Sequence, residues 1–375
     1  MPRRLRKTKM FGRCHLLVPI PGCRPTRPLP DRRPGDILPA RTGHICWPRP
    51  EPSVESRPRS GPTAALAWPR RIGSWMSATA FFLPGPSADR SYCALRDETV
   101  PPTVEARQFL EQLWSEGRDY VDPGFQQRAQ RCLLPCFWEL YLAVYFLRHG
   151  HPVRRWSERR TRPAGPDLQV GDGQLWIEAT APRRGEGPDA VPPVTFGKLQ
   201  DVPGDAIKLR IRSVLSEKLA KLADYRSKGI VRVHEPFVVA INGHQLPFGD
   251  CPAPVPWVVG AVFPIGDESI LIDTETGKAV GSFHQPKPLI RKAKGSPVPL
   301  DCFLDPSYAG ISALIYSTAN PSNPHPRLGS GFTIVHNPLA WAPLQRGMLP
   351  CWEEYWLDGE SLSWTRRSDE HANTA

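Results

Sequence analysis

Asp172-Gly173 stands between two short apolar runs in GPDLQVGDGQLWIEATAP, and this dipeptide constrains the chain more than any other feature. Both central residues of the tightest hairpin turns take positive φ, which Asp-Gly tolerates, so the runs on either side are expected to pair as an antiparallel hairpin. A turn centred there makes paired positions sum to 345, which sets Val170 against Leu175 and Asp167 against Glu178. A Gly/Pro-rich loop follows over 183–204, then a helical pattern over 205–228 that stops at Gly229. FVVAIN, 237–242, is apolar along its length, as a strand covered on both faces must be. Upstream, 105–117 reads as a short helix, 124–149 as a helical region kinked or restarted at Pro135, and HPVRRW (151–156) as an edge strand. The order is helix, three strands, helix, strand. That is a mixed α/β core, αβββαβ, in which the long helix crosses from the hairpin to a buried parallel strand.

Composition divides the rest of the chain. Of the formal net charge of +11, residues 1–95 carry 17 basic and 5 acidic side chains and 16 of the 45 prolines, so the remaining residues are close to neutral. Pro/Arg runs without a 3.6 or 2 period bury too little surface to offset chain entropy, and 1–95 is expected to be a disordered tail. The basic balance therefore describes a tail and not a folded nucleic-acid surface. Met76 lies near the end of that tail, where a second start would remove it. The core is expected over 96–245. WVVGAVF, ESILIDTETGKAV, AGISALIYS and SGFTIVHNP are strand candidates that make 246–365 a β-rich extension of the core, with 366–375 frayed. The longest apolar run, LLPCFWELYLAVYFL (133–147), has 15 residues and Glu139 in its middle, too short and too interrupted for a bilayer span. Nine cysteines with no CxxC, and no secretory h-region, point to a reducing cytoplasm without structural zinc.

Three groups could carry chemistry. Asp167 and Glu178 face one another on one side of the hairpin, and like charges opposed across a ladder are destabilising without a cation. Hard divalent ions such as Mg2+ or Mn2+ favour such oxygen donors; a solvated pair, or a register slipped by a bulge, would leave no site. Glu139 is the only charged residue between Arg131 and Arg148 and needs a partner, either at this site or among the arginines of HPVRRW. On the long helix the apolar stripe Ile207, Ile211, Val214, Leu215, Leu222, Tyr225 has a gap filled by Lys218, which therefore lies on the buried face. Its ammonium either snorkels to water or turns inward to the carboxylates. Lys208, Arg210, Arg212, Lys221 and Arg226 fall on the flanks of this helix or outside.

Glu139 on a leading helix, Pro166-Asp167, Glu178-Ala179-Thr180 and a crossover helix into a buried strand resemble the PD-(D/E)XK nuclease superfamily over residues 125–245. The resemblance implies a restriction-endonuclease-like sheet and a metal-dependent nuclease. Asp167, Glu178 and the Ala179 carbonyl would hold Mg2+ or Mn2+, Glu139 would orient a ligand or complete a second metal site, and nucleic acid, DNA before RNA, would be the substrate. Thr180 departs from the motif, which has lysine there. Some members take that lysine from the next helix, and Lys218 is placed to supply it. Arg154, Arg155, Arg159, Arg160 and Arg162, with Arg183 and Arg184, could contact phosphates or form a solvated loop. A second reading keeps the fold as a binding or structural module, with Thr180 marking a lost site. No P-loop, GxSxG, HExxH or sequence-reading module is present to suggest another chemistry.

Overall fold

The computed structural model describes residues 16–17, 80–159, 165–171, 175–274, 276–323 and 327–366. The strands are β1 (Leu16–Leu17), β2 (Leu168–Val170), β3 (Leu175–Thr180), β4 (Phe237–Asn242), β5 (Ile265–Ile272), β6 (Ala279–Pro286), β7 (Leu289–Arg291), β8 (Pro297–Pro299), β9 (Ala313–Ser317), β10 (Thr333–His336), β11 (Glu353–Asp358) and β12 (Ser361–Arg366). The helices are α1 (Arg90–Asp97), α2 (Pro101–Gly117), α3 (Phe125–Arg131), α4 (Leu133–Arg148), α5 (Gly204–Ser227) and α6 (Trp257–Gly260).

One mixed sheet organises them, in the order β1-β12-β11-β10-β9-β4-β3-β2. β2 and β3 are antiparallel with Leu168 opposite Ile177 and Val170 opposite Leu175. Each pair sums to 345, the register that a turn at Asp172-Gly173 dictates; the turn residues themselves lie outside the described residues. β3 and β4 are parallel, as are β4 and β9, and α5 makes the crossover between β3 and β4. β4 is buried at all six positions because both its faces are covered. Val238 and Ala240 pack with α2, α3 and α4, whereas Phe237, Val239 and Ile241 pack with α5 and α6. Alternation along one strand thus feeds two separate cores. On the first face Trp138 of α4, fully buried, donates from Nε1 to the Ala240 carbonyl at 2.9 Å and ties that helix to the sheet.

Several expectations are corrected. Residues 80–95 belong to the folded body and not to the tail: Phe81 is fully buried, its N–H bonds Glu111, and α1 is capped by Asp89. The disorder expected for the rest of 1–95 concerns residues outside the description, apart from the β1 pair. The 124–149 helix restarts at Cys132 (φ −156°, ψ 85°) and not at Pro135. Pro135 sits in the first turn of α4, where its missing N–H is not needed. HPVRRW reduces to one bridge, Val153 with Val170. WVVGAVF is not a strand: it starts as α6 after Pro256, with Val258, Val259, Ala261, Val262 and Phe263 buried, and periodicity cannot type so short an apolar run.

The C-terminal extension divides in two. β9 to β12 continue the main sheet, while β5–β6 and β7–β8 form separate two-stranded ribbons. The β11–β12 hairpin, Asp358 paired with Ser361, escaped the sequence reading; its turn is Gly359-Glu360, so the Asp358-Gly359 dipeptide stands one residue out of the position used upstream. Arg366 ends β12 and does not belong to the segment expected to fray; the remainder, 367–375, lies outside the described residues. Among the described residues, Cys93, Cys132, Cys136, Cys251 and Cys302 are free thiols. Among the described residues no helix is long and apolar enough to cross a membrane.

Gly329 shows how tightly the first core closes. Its φ is +84°, and a Cβ there would lie 2.3 Å from the Tyr145 ring and 2.9 Å from the Pro350 carbonyl oxygen. Gly329→Ala is expected to destabilise the fold by about 3 kcal/mol, strain plus overpacking. Gly359→Ala, at φ +59° with open space around it, should lose about 1 kcal/mol. Urea denaturation of the two variants checks the contrast.

Candidate functional site

β2 ends its pairing at Leu168, and the side chain of Asp167 then takes the place of a ladder partner. Its Oδ2 accepts the Ala179 N–H at 2.7 Å. Because a strand residue projects its N–H and C=O to the same edge, the Ala179 carbonyl is directed to the Asp167 side as well. One residue back on β3, Glu178 is fully buried on the face that α5 covers.

α5 delivers three donors to that carboxylate. Lys218 Nζ lies 3.0 Å from Glu178 Oε1 and Lys221 Nζ 2.6 Å from the same oxygen. The Tyr225 hydroxyl is 3.1 Å from both Glu178 Oε2 and the Gly165 carbonyl, one proton shared between two acceptors. Lys218 thus turns inward and does not snorkel. Lys221 corrects its placement on the outside of α5: it stands three residues after Lys218 and four before Tyr225, a spacing that puts all three on one face. The spacing was visible in the sequence, but the apolar stripe does not register a lysine whose side chain remains 44% exposed.

Glu139 reaches the site by its field alone. Both its oxygens are held at 2.8 Å by the Arg128 guanidinium of α3, and not by Arg154 or Arg155. Arg128 also bonds Asp122 at 2.5 Å. The Asp167 carboxyl is nonetheless pushed well above the usual carboxylate range, first by burial and then by the charges of Glu139 and Glu178. The Ala179 N–H and Lys221 oppose this without cancelling it. For Lys221, burial works against the charge, but the bond to Glu178 and that carboxylate's field outweigh it and raise the pKa.

Of the arginines offered as phosphate contacts, Arg159 is an internal strut. It is 4% exposed and donates at 2.6 Å to the carbonyls of Asp167 and Tyr120, with its guanidinium over the Trp156 ring. Burial lowers its pKa to about 10 despite the charge of Asp167. This arginine fixes the backbone at Asp167, a role that its place in a charged loop concealed. Arg155 and Arg183 are exposed, Arg184 bonds the Val191 carbonyl, and Arg160 and Arg162 lie outside the described residues.

Lys208 and Arg212, placed on the flanks of α5 by the sequence, are buried because the C-terminal extension covers the back of that helix. Lys208 lies against Gly260 of α6, and Arg212 stacks on Tyr308 at 4.8 Å and bonds its hydroxyl at 3.2 Å. Ser213, Ser216, Glu217, Ala220, Ala223 and Asp224 keep an exposed face on the rest of the helix.

The structure therefore gathers Asp167, Glu178, Ala179 and Lys218, adds Lys221 and Tyr225, and leaves Glu139 in a separate ion pair with Arg128. Among the described residues, no three His, Cys, Asp or Glu side chains assemble as a metal cluster. Compared with protein-family models, curated proteins and solved structures, the chain matches none.

Proposed function

We propose that this protein is a metal-dependent phosphodiesterase acting on nucleic acid, a nuclease of the PD-(D/E)XK type with its lysine supplied from the crossover helix. The observation that carries the reading is Lys218: a buried ammonium 3.0 Å from a fully buried carboxylate, with a second carboxylate, Asp167, just before the adjoining strand β2. Buried ionic groups brought together in this way are a recurrent mark of functional sites.

The donor set fits a hard divalent cation. Asp167 is crowded by the negative charge of Glu139 and Glu178, an excess that a cation relieves. Asp167, Glu178 and the Ala179 carbonyl would hold it, two side chains and one backbone oxygen, with water completing the shell. When bound, Mg2+ or Mn2+ would polarise a phosphate oxygen and lower the pKa of a water. The chain's own residues do the rest. Lys218 and Lys221 place two positive charges on Glu178 Oε1, where they neutralise it in the free protein and are available to the negative charge that develops on a phosphoryl group. Tyr225 holds Glu178 Oε2, Arg159 holds the Asp167 backbone, and Arg128 draws Glu139 aside.

The test is cleavage of plasmid, single-stranded DNA and RNA by the full chain, with Mg2+ against EDTA, and with Glu178→Gln as control. Metal-dependent cleavage that falls about 10^3-fold in the variant is expected. Equal rates for the two proteins would end the nuclease reading.

One observation favours a second reading, a nuclease-like module without activity. Both oxygens of Glu178 already have partners, and Thr180 occupies the position of the motif lysine. On that reading the protein binds no Mn2+ at the carboxylates.

A further inference from the structure

Gln169 is 5% exposed, yet among the described residues its amide makes no hydrogen bond; only its backbone carbonyl is used, by the Arg154 N–H. The amide is not walled off: it opens into a cleft, where its donor and its acceptor are free for a ligand from outside the chain. The residue lines a cleft of about 310 Å³ between the hairpin and the C-terminal end of α5. Trp176, Ile230 and Glu235 form its walls and Lys228 and Arg232 its rim. The walls are fixed: Glu235 Oε2 accepts from Trp176 Nε1 at 2.9 Å and from the Arg232 N–H at 2.8 Å. The rim is not. Lys228 bonds only the surface Asp224, and the Arg232 guanidinium has no partner among the described residues.

The cleft adjoins the carboxylates. Gln169 and Trp176 are paired across the hairpin, two residues from Asp167 and Glu178 on the same face, about 7 Å along the strands. That is the rise of about two nucleotides in a stacked strand. A glutamine amide offers a donor and an acceptor in one plane, the complement of the adenine N6 and N7 edge. Arg232 and Lys228 suit the phosphate of the same nucleotide, with Glu235 keeping the net charge at +1.

We infer that this cleft binds a nucleotide of the substrate strand within two positions of the scissile phosphodiester, its base edge on the Gln169 amide and its phosphate on Arg232 and Lys228. The scissile position rests on the nuclease reading; the nucleotide site does not. Anisotropy of fluorescein-labelled oligodeoxyadenylate and oligothymidylate in EDTA, where no cleavage occurs, tests it in the full chain.

Gln169→Leu is expected to weaken oligodeoxyadenylate binding about tenfold or more and to leave oligothymidylate nearly unchanged. Arg232→Ala should weaken both oligonucleotides alike and flatten the salt dependence by about one phosphate contact. Gln169→Met, which keeps the length and the charge and loses both the donor and the acceptor, gives the same base-selective loss if the leucine variant folds poorly. Unchanged oligodeoxyadenylate binding in the Gln169 variants, or no oligonucleotide binding by the wild type, overturns the inference. If that happens while Glu178→Gln still abolishes cleavage, the nuclease reading stands alone. Base-selective binding without metal-dependent cleavage leaves the cleft and removes the nuclease.

Discussion

Glu178→Ala is expected to destabilise the fold by about 3–5 kcal/mol at neutral pH, because it leaves Lys218 as a buried ammonium with no acceptor. The two lysines on Glu178 Oε1 differ in what they can do next. Lys221 is 44% exposed as a side chain and can turn to water, whereas Lys218 is 10% exposed and is hemmed in by the α5 stripe. Lys221→Met should therefore lose no more than about 1 kcal/mol, the scale of a solvent-screened pair. The double variant Glu178→Leu/Lys218→Met should recover most of the loss, since replacing both charges by apolar groups of similar size removes the stranded ion. Denaturant unfolding of the three proteins makes the comparison. Equal stability of wild type and Glu178→Ala would mean that the ammonium is not committed to this carboxylate. The same argument selects Glu178→Gln for the cleavage assay, because its side-chain oxygen still accepts from Lys218 and the protein remains folded.

The elements that position this site were legible because each has a local cause. The positive-φ demand of Asp-Gly fixed the 345 register, FVVAIN could only be a strand covered on both faces, and the seven-residue step from Leu215 to Leu222 pointed to Lys218. What was not legible depends on contacts across long sequence separations. Arg128 pairs with Glu139 because α3 and α4 fold back on one another at Cys132, and a backbone break at a residue other than proline or glycine leaves no mark in the sequence. Lys208 and Arg212 are buried only because residues of α6 and Tyr308, some 50 to 100 positions downstream, cover α5 from behind. Nothing in the hairpin pattern singled out Gln169; its burial requires the loop after α5, Ile230 to Glu235, to close over it. Arg159 was read from its neighbours in sequence as a phosphate contact or a solvated charge, yet two backbone carbonyls, from Tyr120 and Asp167, hold it inside.

Asp167→Asn should separate stability from function in the opposite direction to Glu178→Ala. Burial and the charges of Glu139 and Glu178 hold the folded pKa of Asp167 above its unfolded value of about 4. A carboxyl with a raised folded pKa binds a proton more tightly in the native state, so its ionisation lowers stability as pH rises from about 4 through the folded pKa, and the penalty is constant above that. Asparagine carries no charge to crowd, and its side-chain oxygen can still accept the Ala179 N–H that Asp167 binds. The variant is thus expected to match the wild type in stability near pH 4 and to exceed it increasingly as pH rises to neutrality. Function should move the other way. On the proposed nuclease reading, Mn2+ binding at the carboxylates should be lost and metal-dependent cleavage should fall about 10^3-fold, the equivalent of several kcal/mol of transition-state stabilisation. Unfolding measured across that pH range, beside Mn2+ titration calorimetry, reads both quantities on the same protein. A gain in stability with undiminished cleavage would leave Asp167 as a crowded structural acid and remove it from the site. A loss of stability at pH 7 would show that its ionised form is what the fold requires, which the crowding by Glu139 and Glu178 forbids.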